Sequence, residues 1–235
     1  FCGCQLAHLG AEVIKIEVPN RGDLARQLGL DVELNQKLMG ATFLAQNSGK
    51  RSITINLKSA EGVAVFKRLV KTADVIVENF RPGVMDRLGV GYDALKELNA
   101  DLVYCAISGF GQEGPLKSRP AYDQIIQGMS GTMSITGDAE TAPLRVGFPI
   151  ADTIGGMTAA FAISAALAKK DGKRGTFIDV SMLESVMSTM GFAISNYFNA
   201  NQQPQPMGNE NFTGSRLSER SVALRARVVF ALLVH

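Results

Sequence analysis

Short strand-like runs recur along the chain with helix-spaced segments between them. That alternation restricts the fold more than any other feature. Residues 11–17 and 51–57 alternate apolar and polar side chains, as a half-buried strand does. Residues 74–78, 101–108 and 176–180 are further strand candidates, the first of a buried type and the second largely apolar. Between them, residues 60–72 place Val63, Phe66, Leu69 and Val70 on one helical face. Residues 92–98 form another short helix, and Pro82 is placed to open a third. Strand and helix taking turns predicts a parallel α/β sheet, in which ligands bind at the carboxyl ends of the strands. Those ends carry Glu17, Asn79-Phe80-Arg81 and Ser108-Gly109-Phe110-Gly111.

The rest of the chain divides by the same signals. Residues 19–48 are rich in loop signals and show no defined element. Residues 122–133 predict a helix dotted with glycine. Residues 152–169 predict a long one, with Ile154, Met157, Phe161 and Ala165 near one face. A helix over 182–198 follows the last strand, residues 199–214 are polar and loop-like, and the character changes again from Ser215.

Composition narrows the class. Of 235 residues, 46% are hydrophobic and 20% charged, ordinary for a soluble globular chain. A net charge of +2 is too balanced to argue for nucleic acid. No apolar run is expected to be long enough to cross a bilayer. The opening residues lack the basic start and cleavage site of a signal peptide and there is no initiator Met, so the chain is expected to begin within a domain. Cys2 and Cys4 are too few and too close for a zinc site, and Cys105 sits in an apolar run as a small core residue. A reduced cytoplasmic protein without a metal is expected.

Most motifs have a plain structural reading. His8 and His235 are the two histidines, and no G-x-S-x-G elbow accompanies them, which argues against a Ser-His-Asp triad. Gly109 to Gly114 matches G-x-G-x-x-G, but Pro115 and Pro120 interrupt any helix after it, so a tight loop is the better reading. Lys15, Lys50, Arg51, Lys58, Arg81, Arg87 and Arg119 are surface charges singly. On one rim they would suit a phosphorylated cofactor. Asp152 stands in Val146-Gly147-Phe148-Pro149-Ile150-Ala151-Asp152-Thr153-Ile154-Gly155-Gly156-Met157, an acid after an apolar approach. Taken alone it reads as a helix N-cap; its neighbours leave a nucleophile open.

Several blocks together carry a resemblance. Leu9-Gly10-Ala11-Glu12-Val13-Ile14-Lys15-Ile16-Glu17, Asn47-Ser48-Gly49-Lys50-Arg51-Ser52 and Val77-Glu78-Asn79-Phe80-Arg81-Pro82-Gly83 resemble the family III CoA-transferases, the formyl-CoA and carnitine CoA-transferase type. Ser108-Gly109-Phe110-Gly111-Gln112, Arg119-Pro120-Ala121-Tyr122-Asp123 and Asp179-Val180-Ser181-Met182 extend the match in family order. The resemblance implies a Rossmann-like α/β large domain over residues 1–198, lacking its first strand. It implies a linker and atypical tail over 199–235, an absent small domain, and so a chain truncated at both ends. It also implies an interlocked homodimer. Asp152 matches the family's catalytic aspartate. Lys15, Val18, Ile55, Asn56, Leu57, Lys58, Asn79, Phe80, Arg81, Arg87, Pro120, Ala121, Tyr122 and Asp123 match its coenzyme A positions. Val18 replaces a basic residue there, a contact that Arg21 or Arg26 would have to supply.

The implied chemistry suits a chain nearly without histidine. A carboxylate is ionised at neutral pH and needs no general base. Attack by Asp152 on an acyl-CoA gives a mixed anhydride, then an aspartyl-CoA thioester, and finally the acceptor's acyl-CoA. The substrates are acyl-CoA and a small carboxylic acid, with coenzyme A carried as a thioester. Backbone N–H groups near Gly155 and Gly156 are expected to stabilise the oxyanion. Two alternatives stand beside this. The 2-methylacyl-CoA racemases share the fold but carry histidine where this chain has Tyr122, and tyrosine is a poor base near neutral pH. The other alternative is a catalytically inactive fragment. Met129, Met133 and Met157 are expected in core packing rather than an acyl pocket.

Overall fold

The computed structural model describes residues 1–169 and 174–210. In chain order the elements are α1 Cys2–His8, β1 Val13–Glu17, a 3-10 turn Leu24–Gln27, α2 Val32–Gln36, α3 Ala41–Asn47 and β2 Lys50–Thr54. Next come α4 Ala60–Val70, β3 Val75–Glu78, α5 Val84–Arg87, α6 Tyr92–Lys96 and β4 Val103–Ser108. The last are α7 Asp123–Met129, α8 Thr132–Ile135, α9 Ile150–Leu167, β5 Thr176–Ser181, α10 Met182–Thr189 and α11 Gly191–Ala200. The region without a defined element in the sequence thus holds three short helices. The altered tail after Ser215 lies outside the described residues.

Among the described residues every strand pairing is parallel, as the alternation predicts, but the strands form two sheets rather than one. One is β1-β2, the other β3-β4-β5. β4 is the hub. Its odd-numbered residues Val103, Cys105 and Ile107 join a core cluster with α1, α7, α9 and α10. Tyr104 and Ala106 join a second cluster with Phe66, Val70, Met85 and Leu95 of α4, α5 and α6. The period of two along a strand produces this split, and the result is helix on both faces of the sheet. Ile16 and Leu57 pack against the second cluster, which links the small sheet to the large one.

Several expectations are corrected here. The helix over 122–133 breaks at Gly131, whose φ of 84° suits a residue without Cβ. Of the residues grouped on one face of the long helix, Ile154 packs on the core, whereas Ala151, Gly155, Gly156, Ala159, Ala160, Ile163 and Ala166 are the buried ones. Met157 and Phe161 are exposed, and so is Met129, so these side chains are not core. Small residues lie inward because α1, α7, α10, β4 and β5 all crowd α9. Finally, α9 has 18 residues with mean hydropathy 1.5, long and apolar enough to cross a membrane by length and composition. Its packing on the sheet makes it a core helix.

Candidate active site

The start of α9 is built by another helix. Pro149 occupies the N-cap position and supplies no side-chain cap. The first-turn donors are instead met by Asp123, at the head of α7. Its Oδ1 accepts from Ala151 N at 2.7 Å and from Asp152 N at 3.4 Å. Its Oδ2 accepts from Gln127 Nε2 at 2.6 Å, and Gln127 Oε1 accepts from Val146 N at 2.8 Å. Asp123 is 9% exposed and Gln127 fully buried. Both oxygens of Asp123, one of the positions expected to meet coenzyme A, are committed to the protein. Gln127 had no role in the sequence reading, although a glutamine four residues after an aspartate on an apolar helix was a usable signal.

Asp152 is not the N-cap, because the helix begins two residues earlier than expected. It is the acid of the first turn. Among the described residues no hydrogen bond or ion pair uses its carboxylate, which keeps a face open to solvent. Loss of hydration, and then the charge of Asp123, push the carboxyl above the usual carboxylate range.

Gly155 and Gly156 do not present free donors. They lie past the first turn, where backbone N–H groups are taken up by the helix ladder. Their place is explained by packing. A Cβ on Gly155 would meet Met182 Cγ at 3.0 Å, and one on Gly156 would meet Phe1 Cβ at 3.0 Å and Cys2 N at 3.1 Å.

The strand ends form a rim, and its residues divide by accessibility. Within 55–58, Ile55 is buried and Leu57 packs on the core, leaving Asn56 and Lys58 outward. Asn56 Oδ1 accepts from Lys58 N at 3.1 Å and shapes that turn. Asn79 Nδ2 donates to Ile107 O at 2.7 Å, which ties the turn after β3 to β4. Phe80, Arg81 and Arg87 remain exposed beside it. Phe80 N donates to Glu78 Oε2 at 2.6 Å. Burial pushes the Glu78 carboxyl up to about 7, against that hydrogen bond and with help from Asp86.

The glycine-rich stretch is the tight loop expected. Gly111 and Gly114 have φ of 83° and 86°, and Gln112 N donates to Asp179 Oδ2 at 2.8 Å. Gly109 lies so close to Ala121 that a side chain would overlap it, which brings Pro120, Ala121 and Tyr122 against the end of β4. Pro120 and Tyr122 are exposed.

The basic positions are less free than the sequence suggests. Lys15 Nζ pairs with Asp23 Oδ2 at 2.5 Å. Val18 is exposed, but Arg26, its expected substitute, is held by both oxygens of Glu17 at 2.7 Å. Arg21 remains exposed. Cys2, Cys4 and Cys105 are free and buried. Among the described residues no three His, Cys, Asp or Glu side chains converge.

A family model for CoA-transferase family III matches residues 1–219. The chain is 41% identical over 214 residues to a succinate–glutarate CoA-transferase of Agrobacterium fabrum, covering 89% of this chain and 53% of the relative. It is 43% identical to an acetyl-CoA:oxalate CoA-transferase of Acetobacter aceti, over 88% of this chain and 52% of the relative. Among solved structures, a CAIB/BAIF family protein from Brucella suis superposes with a TM-score of 0.82 at 39% identity, over 89% of this chain and 56% of that one. The chain spans about half the length of the curated relatives it matches.

Proposed function

The chain belongs to CoA-transferase family III, and from that premise we propose that it moves coenzyme A from an acyl-CoA thioester to a free carboxylate through Asp152. The observation that carries the reading is the seat of Asp152: first turn of a long helix, carboxylate unpaired among the described residues and open to solvent. An Asp152 oxygen attacks the thioester carbonyl, the C–S bond breaks, and the thiolate leaves a mixed anhydride behind. The thiolate then attacks the aspartyl carbonyl, releasing the donor acid and forming aspartyl-CoA. The acceptor carboxylate attacks that thioester to give a second anhydride and free thiolate. Attack of the thiolate on the acceptor's carbonyl yields the new acyl-CoA and restores the Asp152 carboxylate. No proton or phosphate is consumed.

Coenzyme A is held in this reading by the exposed rim: Lys58 and Asn56, Phe80 with Arg81 and Arg87, and Pro120 with Tyr122. Arginine pairs with phosphate in bidentate geometry, and Phe80 offers a ring face. The names of the relatives support a short dicarboxylate as acceptor. The exposed Met157 and Phe161 of α9 support burial against a second copy in a homodimer; a sedimentation mass of one chain would count against that. Three free thiols support a reducing, cytoplasmic setting.

The test is an exchange assay with succinyl-CoA or acetyl-CoA as donor and glutarate or oxalate as acceptor, read by mass spectrometry. A hydroxylamine quench should leave a hydroxamate on the peptide bearing Asp152. Asp152→Asn should lower exchange by about a thousandfold or more. Exchange that persists in that variant defeats the nucleophile. Rapid loss of an α-deuteron from a 2-methylacyl-CoA would instead favour the racemase.

A further inference from the structure

We infer that Gln127 is a positioning residue for Asp152, acting through Asp123 as a buried relay that fixes the start of α9 and keeps a negative charge beside the reacting carboxylate. The inference rests on the Asp152 reading above. Its physical basis is the polarity of the hydrogen-bond chain. Val146 N can only donate, so the amide oxygen of Gln127 must face it, at 2.8 Å. The amide nitrogen then faces Asp123 Oδ2, at 2.6 Å, and Asp123 must accept there. Ala151 N donates to the other oxygen, at 2.7 Å. Two backbone N–H groups, one at each end, thus require Asp123 to be an acceptor at both oxygens, which an ionised carboxylate is.

The same bonds link the segment before α9 to its first turn. Val146 leads into Pro149, which cannot cap, and the relay holds both sides of that proline. Gln127 is fully buried, where an unsatisfied amide would be costly. The charge has a second effect, since it adds to burial in raising the Asp152 carboxyl, and a more basic carboxylate is a stronger nucleophile. Other groups packed on α9 do not duplicate it. Burial keeps the Cys2 and Cys105 thiols up at about 11 and about 12, hence neutral. Asp179 of β5 is turned to Gln112 N, and Glu184 of α10 is exposed.

The polarity argument prescribes the test in the full chain. Asp123→Asn puts an NH2 group against the Gln127 NH2 group. Gln127→Glu puts carboxylate against carboxylate. The double variant Asp123→Asn/Gln127→Glu satisfies every bond again and moves the charge one side chain farther from Asp152. Each single variant should lower kcat by about 10- to 100-fold, with KM for acyl-CoA changed by less than about threefold. The double variant should recover the thermal midpoint and most of kcat, and its acid limb of kcat/KM should lie at lower pH than in the unmodified chain. Singles with unchanged kcat overturn the inference. So does a double variant that fails to recover, or one that recovers with its acid limb unmoved, which would leave Gln127 a purely structural residue. Failure of the Asp152 reading is distinguishable, because Asp152→Asn would then keep turnover whatever the relay variants do.

Discussion

At the carboxyl end of β1, Glu17 accepts from Arg26 Nε and Nη2, from Ser52 Oγ and from Asp23 N, each within 2.9 Å. Its side chain is 2% exposed, so the charge would be prohibitive without these partners. The Arg26 bonds come first among the causes that hold its carboxyl at about 2, with burial opposing and Ser52 and Asp23 assisting. Relative to an ordinary glutamate this is worth about 3 kcal/mol by linkage. The folded-state value lies below the unfolded one, so the contribution is present above pH 4.5 and is lost as pH falls toward 2. Glu17→Gln should cost about 3 kcal/mol at neutral pH. Urea melts from pH 7 down to pH 3 should show the gap between the two proteins closing; a gap independent of pH would remove the ion pair from the account. The sequence marked Glu17 as a strand-end residue. Its partner was not legible, since Arg26 was expected as a coenzyme contact and meets Glu17 only when the chain folds back across nine residues.

For the α9 element, the glycines test packing against chemistry. At Gly155 an added methyl meets the Met182 side chain, which can yield, and alanine gains about 1 kcal/mol of helix propensity over glycine. At Gly156 the obstacle includes the backbone nitrogen of Cys2, so α1 itself must move. Gly155→Ala should therefore be neutral or stabilising, and Gly156→Val should cost about 1–3 kcal/mol, as thermal melts would report. Equal effects at both sites would refute the packing account. A bulky Gly156 variant that loses turnover is accounted for by this displacement of α1 without an oxyanion role. Most elements were legible from periodicity, yet the buried face of α9 was not. The usual rule sends Met and Phe inward. Here five neighbouring elements leave room mostly for Ala and Gly, with Ile163 the one large side chain fully buried, and Met157 and Phe161 turn out.

The whole molecule joins two sheets of unequal protection. β4 is buried along its full length and hydrogen-bonded to β3 on one side and β5 on the other. β2 has exposed residues at Arg51, Ser52, Ile53 and Thr54 and, among the described residues, pairs only with β1. The strands were legible as parallel because strand and helix take turns along the chain. Their separation was not, because nothing in a strand's own sequence names its neighbour. A two-stranded sheet is marginal by itself, so β1-β2 depends on the Glu17 bonds and on Ile16 against the second core cluster. β4 amides should open only with global unfolding, while β2 amides open locally. Hydrogen exchange read by mass spectrometry should find β4 peptides at least about a thousandfold slower than β2 peptides, the span between local and global opening in a stable domain. In Glu17→Gln the β2 rate should rise further while β4 changes only by the loss of global stability. Uniform exchange across both strands would mean that the two sheets open as one unit, and that the rim residues Asn56 and Lys58 sit on a support as rigid as that of Asn79 and Ser108.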